Sequence, residues 1–228
     1  MTAPHPVHTV LLDADGVLQW PEPGWLEVWR PHAGDDLRGF LAGLFEAEKP
    51  ALRGEAPLHA CIAAFLRAWW GREPTDAEVE DVASAWSMIE VFDEAFALVD
   101  DVRALGVHCH LATNQQVYRR DIMLGLGYPE HFDRLFFSCD LGVAKPDPAY
   151  FEAILGRLGH GSEGVVFVDD RPDNVEAARS VGLTAYVHDT HTSADQGLSD
   201  LREILHRAGV TGLSAVRRPD PGDARAEG

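Results

Sequence analysis

Apolar and polar positions follow two different periods along this chain. Val7–Leu12 (VHTVLL) is an apolar, β-branched run that stops at Asp13, the pattern of a buried strand. Beyond Trp20 the period becomes helical: Leu37, Phe40, Leu41, Leu44 and Phe45 recur at i, i+3, i+4, i+7 and i+8. Leu58, Cys61, Ile62, Phe65, Leu66 and Trp69 repeat that stripe. Thr75 followed three residues later by Glu78 is a capping-box signature, opening a helix whose apolar face carries Val79, Val82 and Trp86. Residues 20–91 therefore read as all-helical.

From Asp93 onward helices and strands alternate. A helix reaching Leu105 ends at Gly106 and gives way to a strand over Val107–Ala112. A helix around Tyr118–Leu124 precedes a short strand, Leu135–Phe137. Asp147 as N-cap with Pro148 behind it opens a helix to Leu158. Then come a strand at Val165–Val168, a helix at Asn174–Val181 and a strand at Thr184–Val187. Such alternation predicts an α/β fold, a doubly wound parallel sheet covered by helices on both faces. The helical block interrupts it after the first strand, so residues 1–19 and 92–212 read as an α/β core and 20–91 as an inserted helical cap. Residues 213–228, rich in Arg, Pro, Asp and Gly, read as a disordered tail.

Composition narrows the function. With 46% hydrophobic and 25% charged residues, the 228-residue chain can bury a core without staples. No apolar run approaches the roughly 18 residues of a membrane helix, and the N-terminus lacks a basic-then-apolar leader pattern, so a cytoplasmic address is expected. Cys61, Cys109 and Cys139 are too few and scattered for a disulfide framework or a zinc site. The net charge of −18 opposes binding to nucleic-acid backbones and means that a phosphorylated substrate needs a cation or a local positive group. Only two of the 19 basic residues are lysines, Lys49 and Lys145.

The chemistry-bearing residues cluster at predicted strand ends. Asp13-Ala-Asp15-Gly16 follows the first strand, and residues two apart on extended backbone point the same way, so both carboxylates face one site. Alone, that string is often a polar turn. Three further stretches change the weighing. Thr113-Asn114 and Asp169-Asp170 each follow a strand, and Lys145-Pro146 opens a helix. Ligands of open α/β sheets bind outside the carboxyl ends of the strands. Carboxylates converging there would repel one another unless a divalent cation lay among them, and oxygen-only ligands suit Mg²⁺. A lysine in a chain that otherwise uses arginine argues for a compact ammonium at position 145.

The stretches LLDADGVL, LATN, CDLGVAKPDPAYFEAIL and VFVDDRPDNVEAARSVGL, in this order, resemble the haloacid dehalogenase-like (HAD) hydrolases, in their phosphatase branch with a helical cap. The resemblance spans nearly all of residues 7–190, and residues 111–183 look especially like sugar-phosphate phosphatases. It implies Mg²⁺-dependent hydrolysis of a small phosphorylated metabolite, with Asp13 as the nucleophile forming a phosphoaspartate and Asp15 as general acid, then base. By the same resemblance, Asp13, the Asp15 backbone carbonyl and Asp170 would hold Mg²⁺. Asp169 would support the metal through water or pair with Lys145. Thr113 and Asn114 would hydrogen-bond the phosphoryl group and Lys145 would neutralise it. Val17 departs from the frequent Thr, and Asn174 stands where a later carboxylate is usual.

Other readings of the same residues stay in view. A phosphosugar mutase of the superfamily would use the same groups. Asp15 disfavours a 2-haloacid dehalogenase, and the complete residue set disfavours a non-catalytic binding module. Trp69 and Trp86 are expected in the cap core, while Trp20 and Trp25 flank the exit from the first motif and are candidate substrate contacts. His108 and His110 fit a polar-tipped strand better than a metal site, and His188 and His191 are expected on a surface loop.

Overall fold

The protein is described by a computed structural model covering residues 6–189 and 194–213; the expected tail from residue 214 and His191 lie outside these. Strand β1 spans Thr9–Leu12 and leads to a short β2, Gln19–Pro21. Four helices follow: α1 Trp25–Ala33, α2 Leu37–Leu52, α3 Leu58–Trp70 and α4 Asp76–Ser84. Next come β3 Ile89–Val91, α5 Asp93–Ala104, β4 His108–Thr113, α6 Val117–Gly125 and α7 Tyr128–His131. The chain continues through β5 Arg134–Phe137, α8 Ser138–Leu141, α9 Pro148–Leu158, β6 Val165–Asp169, α10 Pro172–Ser180, β7 Thr184–Val187 and α11 Ala194–Ala208.

The five long-range strands form one parallel sheet in the order β5-β4-β1-β6-β7. Every residue of β1 and β6 is buried, which is why both read as unbroken apolar runs rather than alternating ones. Alternate side chains feed two cores. Val10, Leu12, Leu111 and Val168 pack with α5 and α11 on one face; Leu11, Ala112, Val165 and Phe167 pack with Tyr150, Phe151 and Val175 on the other. Each such side chain withdrawn from water contributes about 1.5–3 kcal/mol. The chain builds β4 and β5 on one side of β1, then crosses back to lay β6 and β7 on the other. The crevice where the connections diverge therefore lies between β1 and β6, at the carboxyl ends.

The helical segments between β2 and β3 have an apolar cluster of their own, built on Trp29, Phe40, Leu44, Ile62, Leu66 and Trp86. The stretch 20–91 is not all-helical as its periodicity suggests: β2 and β3 pair antiparallel where it leaves and re-enters the α/β layers. Three residues each are too few to display a period, and neither strand stands out in the sequence. Trp69 is a second correction. It lies 37% exposed at the end of α3, although its ring still meets Phe40 and Phe65. Among the described residues, no helix is long and apolar enough to cross a membrane.

The capping box is present as the sequence indicates: Thr75 Oγ1 accepts from Glu78 N, and the Glu78 side chain accepts from Thr75 N. Thr75→Ala removes half of it and should cost about 1 kcal/mol in urea unfolding, with an unchanged midpoint arguing against any role for this cap.

Candidate active site

Strand register assembles the charged centre. Leu12 lies opposite Leu111 of β4 and Val168 of β6, so the next residue along, Asp13, comes level with Ala112 and Asp169. The Asp13 amide donates to Val168 O at 3.0 Å, which carries the pairing one step past the strand. Lys145 enters from the loop before α9, and its Nζ lies 2.9 Å from Asp13 Oδ1, 2.6 Å from Asp169 Oδ2 and 2.9 Å from Ala112 O. The contacts with Asp169 and Ala112 O are hydrogen bonds, and that with Asp13 is an ion pair. The three side chains are almost wholly buried.

Two amides hold this centre in place. The Asn114 side chain grips the backbone of Lys145 from both ends, donating to its carbonyl at 2.8 Å and accepting from its amide at 2.9 Å. Asn174 Nδ2 donates to both oxygens of Asp169, and Arg171 N adds a third donor at 2.8 Å. Asp169 is thus paired with Lys145, the second of the two roles considered for it. The Asn114 side chain thus fixes the backbone of Lys145. Asn174 orients Asp169 through Nδ2, while its Oδ1 is buried without a hydrogen-bond partner.

Asp15 has a different environment, with its side chain 41% exposed. Gly16, at φ +73°, turns the chain sharply behind it, a conformation that favours glycine. Its carboxylate accepts from Gln19 Nε2 at 2.9 Å, Gln115 Nε2 at 2.7 Å and an Arg119 guanidinium nitrogen at 2.8 Å. Gln115 also reaches Thr113 Oγ1 at 3.3 Å, tying Asp15 to the end of β4. Behind Arg119, Gln116 Nε2 donates to Glu48 of α2 at 3.2 Å, so the helical insert touches the site through a buried carboxyl.

Electrostatics show what the centre lacks. Burial pushes the Asp13 carboxyl up to about 8; Lys145 opposes the shift, while Asp169 and Asp15 add to it. Asp170 is raised too, first by burial and then by Asp169. Burial pulls the Lys145 ammonium down, but Asp13 and Asp169 outweigh it and hold its pKa above the ordinary value. Oxygens of Asp13, Asp169 and Asp170 all lie within 4.8 Å of one another. Against them stands one ammonium, so two negative charges remain uncompensated. Asp13 Oδ1, buried beside Lys145, receives no well-aligned hydrogen bond. A hard divalent cation with oxygen ligands fits that deficit in charge and in donor chemistry.

Beside Asp15 and Arg119 lies a cavity of about 230 Å³, walled by Trp25, Trp29, Phe45 and Trp86. Trp25 does border the candidate substrate space. Trp20 is not on the cavity wall and packs instead on Phe92.

Comparison with known proteins agrees with this geometry. Residues 7–182 match the model of the haloacid dehalogenase-like hydrolases. The chain belongs to that family. It is 31% identical over 124 residues to a phosphoserine phosphatase of Thermus thermophilus, covering 50% of each chain. It is 37% identical over 231 residues to the bifunctional epoxide hydrolase 2 of Mus musculus, covering 92% of this chain and 40% of that one. The chain spans about half the length, or less, of these curated relatives. A HAD family enzyme of Bacteroides thetaiotaomicron, solved with magnesium and inorganic phosphate, superposes with a TM-score of 0.68 at 18% identity, covering 83% of this chain and 98% of that one. That likeness shows the shared fold, a parallel α/β core with helices inserted after its first strand.

This HAD-like hydrolase gathers Asp13, Thr113, Lys145, Asp169 and Asp170 at one sheet edge and places Asp15 at the cavity beside it. Sequence reading missed Gln19, Gln115, Gln116, Arg119 and Glu48. The signal was a polar run, Asn114-Gln115-Gln116, directly behind a buried strand, with Gln116 capping α6 by accepting from Arg119 N. His188 is another correction: it is buried, with Nδ1 2.8 Å from Gly16 O and Nε2 2.7 Å from Gly197 O. His110 is buried with Nδ1 unpartnered, and its pKa is lowered to about 4, mainly by burial. The metal-holding cluster found among the described residues is that of Asp13, Asp169 and Asp170.

Glu48 supplies a pH prediction. Burial raises its pKa from 4.5 to about 7, against hydrogen bonding from Gln116 and attraction to Arg119. The folded state then holds a proton that the unfolded chain has released, so this contribution to stability is full below pH 4.5 and is lost as pH rises through about 7. Urea titrations from pH 4.5 to 8 should show wild type losing on the order of 2–3 kcal/mol relative to Glu48→Gln; parallel curves for the two proteins would refute the assignment.

Proposed function

We propose that this hydrolase cleaves a small phosphomonoester with the aid of Mg²⁺, through a phosphoaspartate on Asp13. One observation carries the reading. Two carboxylates of one motif receive opposite settings: Asp13 is buried against an ammonium among carboxylates, and Asp15 is half-exposed at the edge of a cavity. That is the division needed between a nucleophile and an acid–base partner.

An Asp13 carboxylate oxygen attacks phosphorus, and the ester P–O bond breaks as Asp15 delivers a proton to the leaving oxygen. Water then attacks the phosphoaspartate, Asp15 takes its proton, and the P–O bond to Asp13 breaks to release inorganic phosphate. Throughout, Lys145 favours the ionised form of Asp13 against the effect of burial and offsets charge on the phosphoryl oxygens. Thr113, with backbone of Asn114, would hold those oxygens from the side. Asp13, Asp170 and the Asp15 carbonyl would hold Mg²⁺, and Asp169, locked by Asn174, would anchor Lys145. The cation, when bound, supplies positive charge that compensates the clustered carboxylates and the transferring group. Asp15 is oriented by Gln19, Gln115 and Arg119, so the proton is placed without a search through rotamers.

The reading is tested by inorganic phosphate release from a panel of phosphomonoesters. Release should require Mg²⁺, stop with EDTA and resume when Mg²⁺ is restored. Asp13→Asn should abolish it in a folded protein; retained turnover there would overturn the mechanism. Lys145→Arg should lower kcat by about 100-fold or more, because a planar guanidinium cannot meet Asp13, Asp169 and Ala112 O from one point.

A further inference from the structure

The cavity beside Asp15 carries information about the leaving group. Its walls are Trp25 and Trp29 of α1, Phe45 of α2 and Trp86 of the turn after α4, with Met88 and Pro21 closing the ring. The rings brace one another edge to face. Trp29 lies 5.1 Å from Trp25, 5.7 Å from Phe45 and 5.1 Å from Trp86, with interplanar angles of 74°, 84° and 63°. Such contacts hold the aromatic walls in defined orientations.

Two of the three indole N–H groups on those walls are already engaged. The Trp29 indole N–H is spent on Val82 O at 2.8 Å, and that of Trp86 is directed to Glu48. Charged side chains occur only at one end, where Asp15 and Arg119 lie. Asp15 already accepts from three donors. A sugar entering here would give up water around several hydroxyls and regain few partners, which is costly for each one. A compact apolar group has the opposite balance. Size points the same way: an apolar cavity of roughly 150 Å³ holds one benzene ring, whereas drug-sized ligands use roughly 300–1,000 Å³. At about 230 Å³, this space suits a single substituted ring or a branched chain of similar bulk.

We propose that this cavity is the leaving-group subsite and that the substrate is the phosphate ester of a compact apolar alcohol. The assignment rests on the phosphatase reading above and replaces a sugar phosphate as the preferred substrate. The ester oxygen lies at the Asp15 end, where the proton is needed, and the carbon skeleton fills the space between Trp25, Phe45 and Trp86. Arg119 Nε, buried and without a hydrogen-bond partner, stands at the same end and can donate its N–H to the ester oxygen.

The test compares three phosphoryl donors with Mg²⁺ present: benzyl phosphate, glucose 6-phosphate and acetyl phosphate, whose leaving group is too small to use the cavity. Benzyl phosphate should exceed glucose 6-phosphate in kcat/KM by on the order of 100-fold. Benzylphosphonate, which cannot be hydrolysed, should change the tryptophan fluorescence saturably. Phe45→Ser, at a wall residue already 40% exposed and so tolerant of change, should weaken that binding and raise KM for benzyl phosphate about tenfold. Acetyl phosphate turned over while glucose 6-phosphate equals or beats benzyl phosphate would overturn the subsite and leave the phosphatase reading standing. No saturable fluorescence change would also overturn it, whatever the turnover. Failure of all three donors would overturn the phosphatase reading, and the leaving-group assignment with it.

Discussion

Three carboxylates gathered at the edge of a buried sheet repel one another, and the Lys145 ammonium is the group that lets Asp13 and Asp169 stay together there. It hydrogen-bonds Asp169 and the carbonyl of Ala112 and pairs with Asp13, so it joins the ends of β1, β4 and β6 at one point. A buried ion pair contributes little net stability, but loss of one partner leaves an uncompensated charge and is strongly destabilising. The neighbouring amides follow from this constraint. Asn114 holds the lysine's backbone, and Asn174 holds the aspartate it pairs with.

The ammonium answers only part of the charge problem. Asp13 remains raised to about 8 with Lys145 beside it. That shift disfavours the ionised carboxylate that the proposed nucleophile must be, so positive charge beyond that of Lys145 would favour the proposed reaction. The geometry of Asp13, Asp169 and Asp170 provides for a divalent ion, which ties ionisation of the nucleophile to loading of the site. Chemistry would then be coupled to cation binding by electrostatics alone, with no conformational switch required.

Legibility in the sequence followed the range of the interactions. Asp13, Lys145 and the Asp169-Asp170 pair were visible because each ends a strand or opens a helix, and topology brings such ends to one crevice. The parallel sheet was visible because its central strands are buried on both faces and lack polar interruptions. The three-residue β2 and β3 were not, since their pairing depends on partners some 70 residues apart. Trp69 was misread because its place on an apolar stripe says which face it shares, not that the stripe stays covered to the end of α3. His188 was misread because a histidine in a loop looks solvated until both ring nitrogens find carbonyls, one of them in the first motif's turn. Gln115 and Arg119 act on Asp15 across about 100 residues of chain, and Glu48 meets Gln116 across 68. No local period or spacing encodes such contacts.

On the proposed reading, those long-range contacts link Asp15, as acid–base residue, to the leaving-group space. Asp15 is oriented by Gln19 from its own turn, by Gln115 behind β4 and by Arg119 of α6, while Gln116, N-cap of that same helix, holds Glu48 of the insert. Moving the insert would move Trp25, Phe45 and Trp86 and release Glu48 from Gln116, beside the guanidinium that aligns Asp15. On the proposed reading, the insert walls the leaving-group space and, through Glu48 and Gln116, touches the helix whose Arg119 aligns Asp15. Specificity and proton delivery then depend on the same contact between the helical insert and the sheet edge.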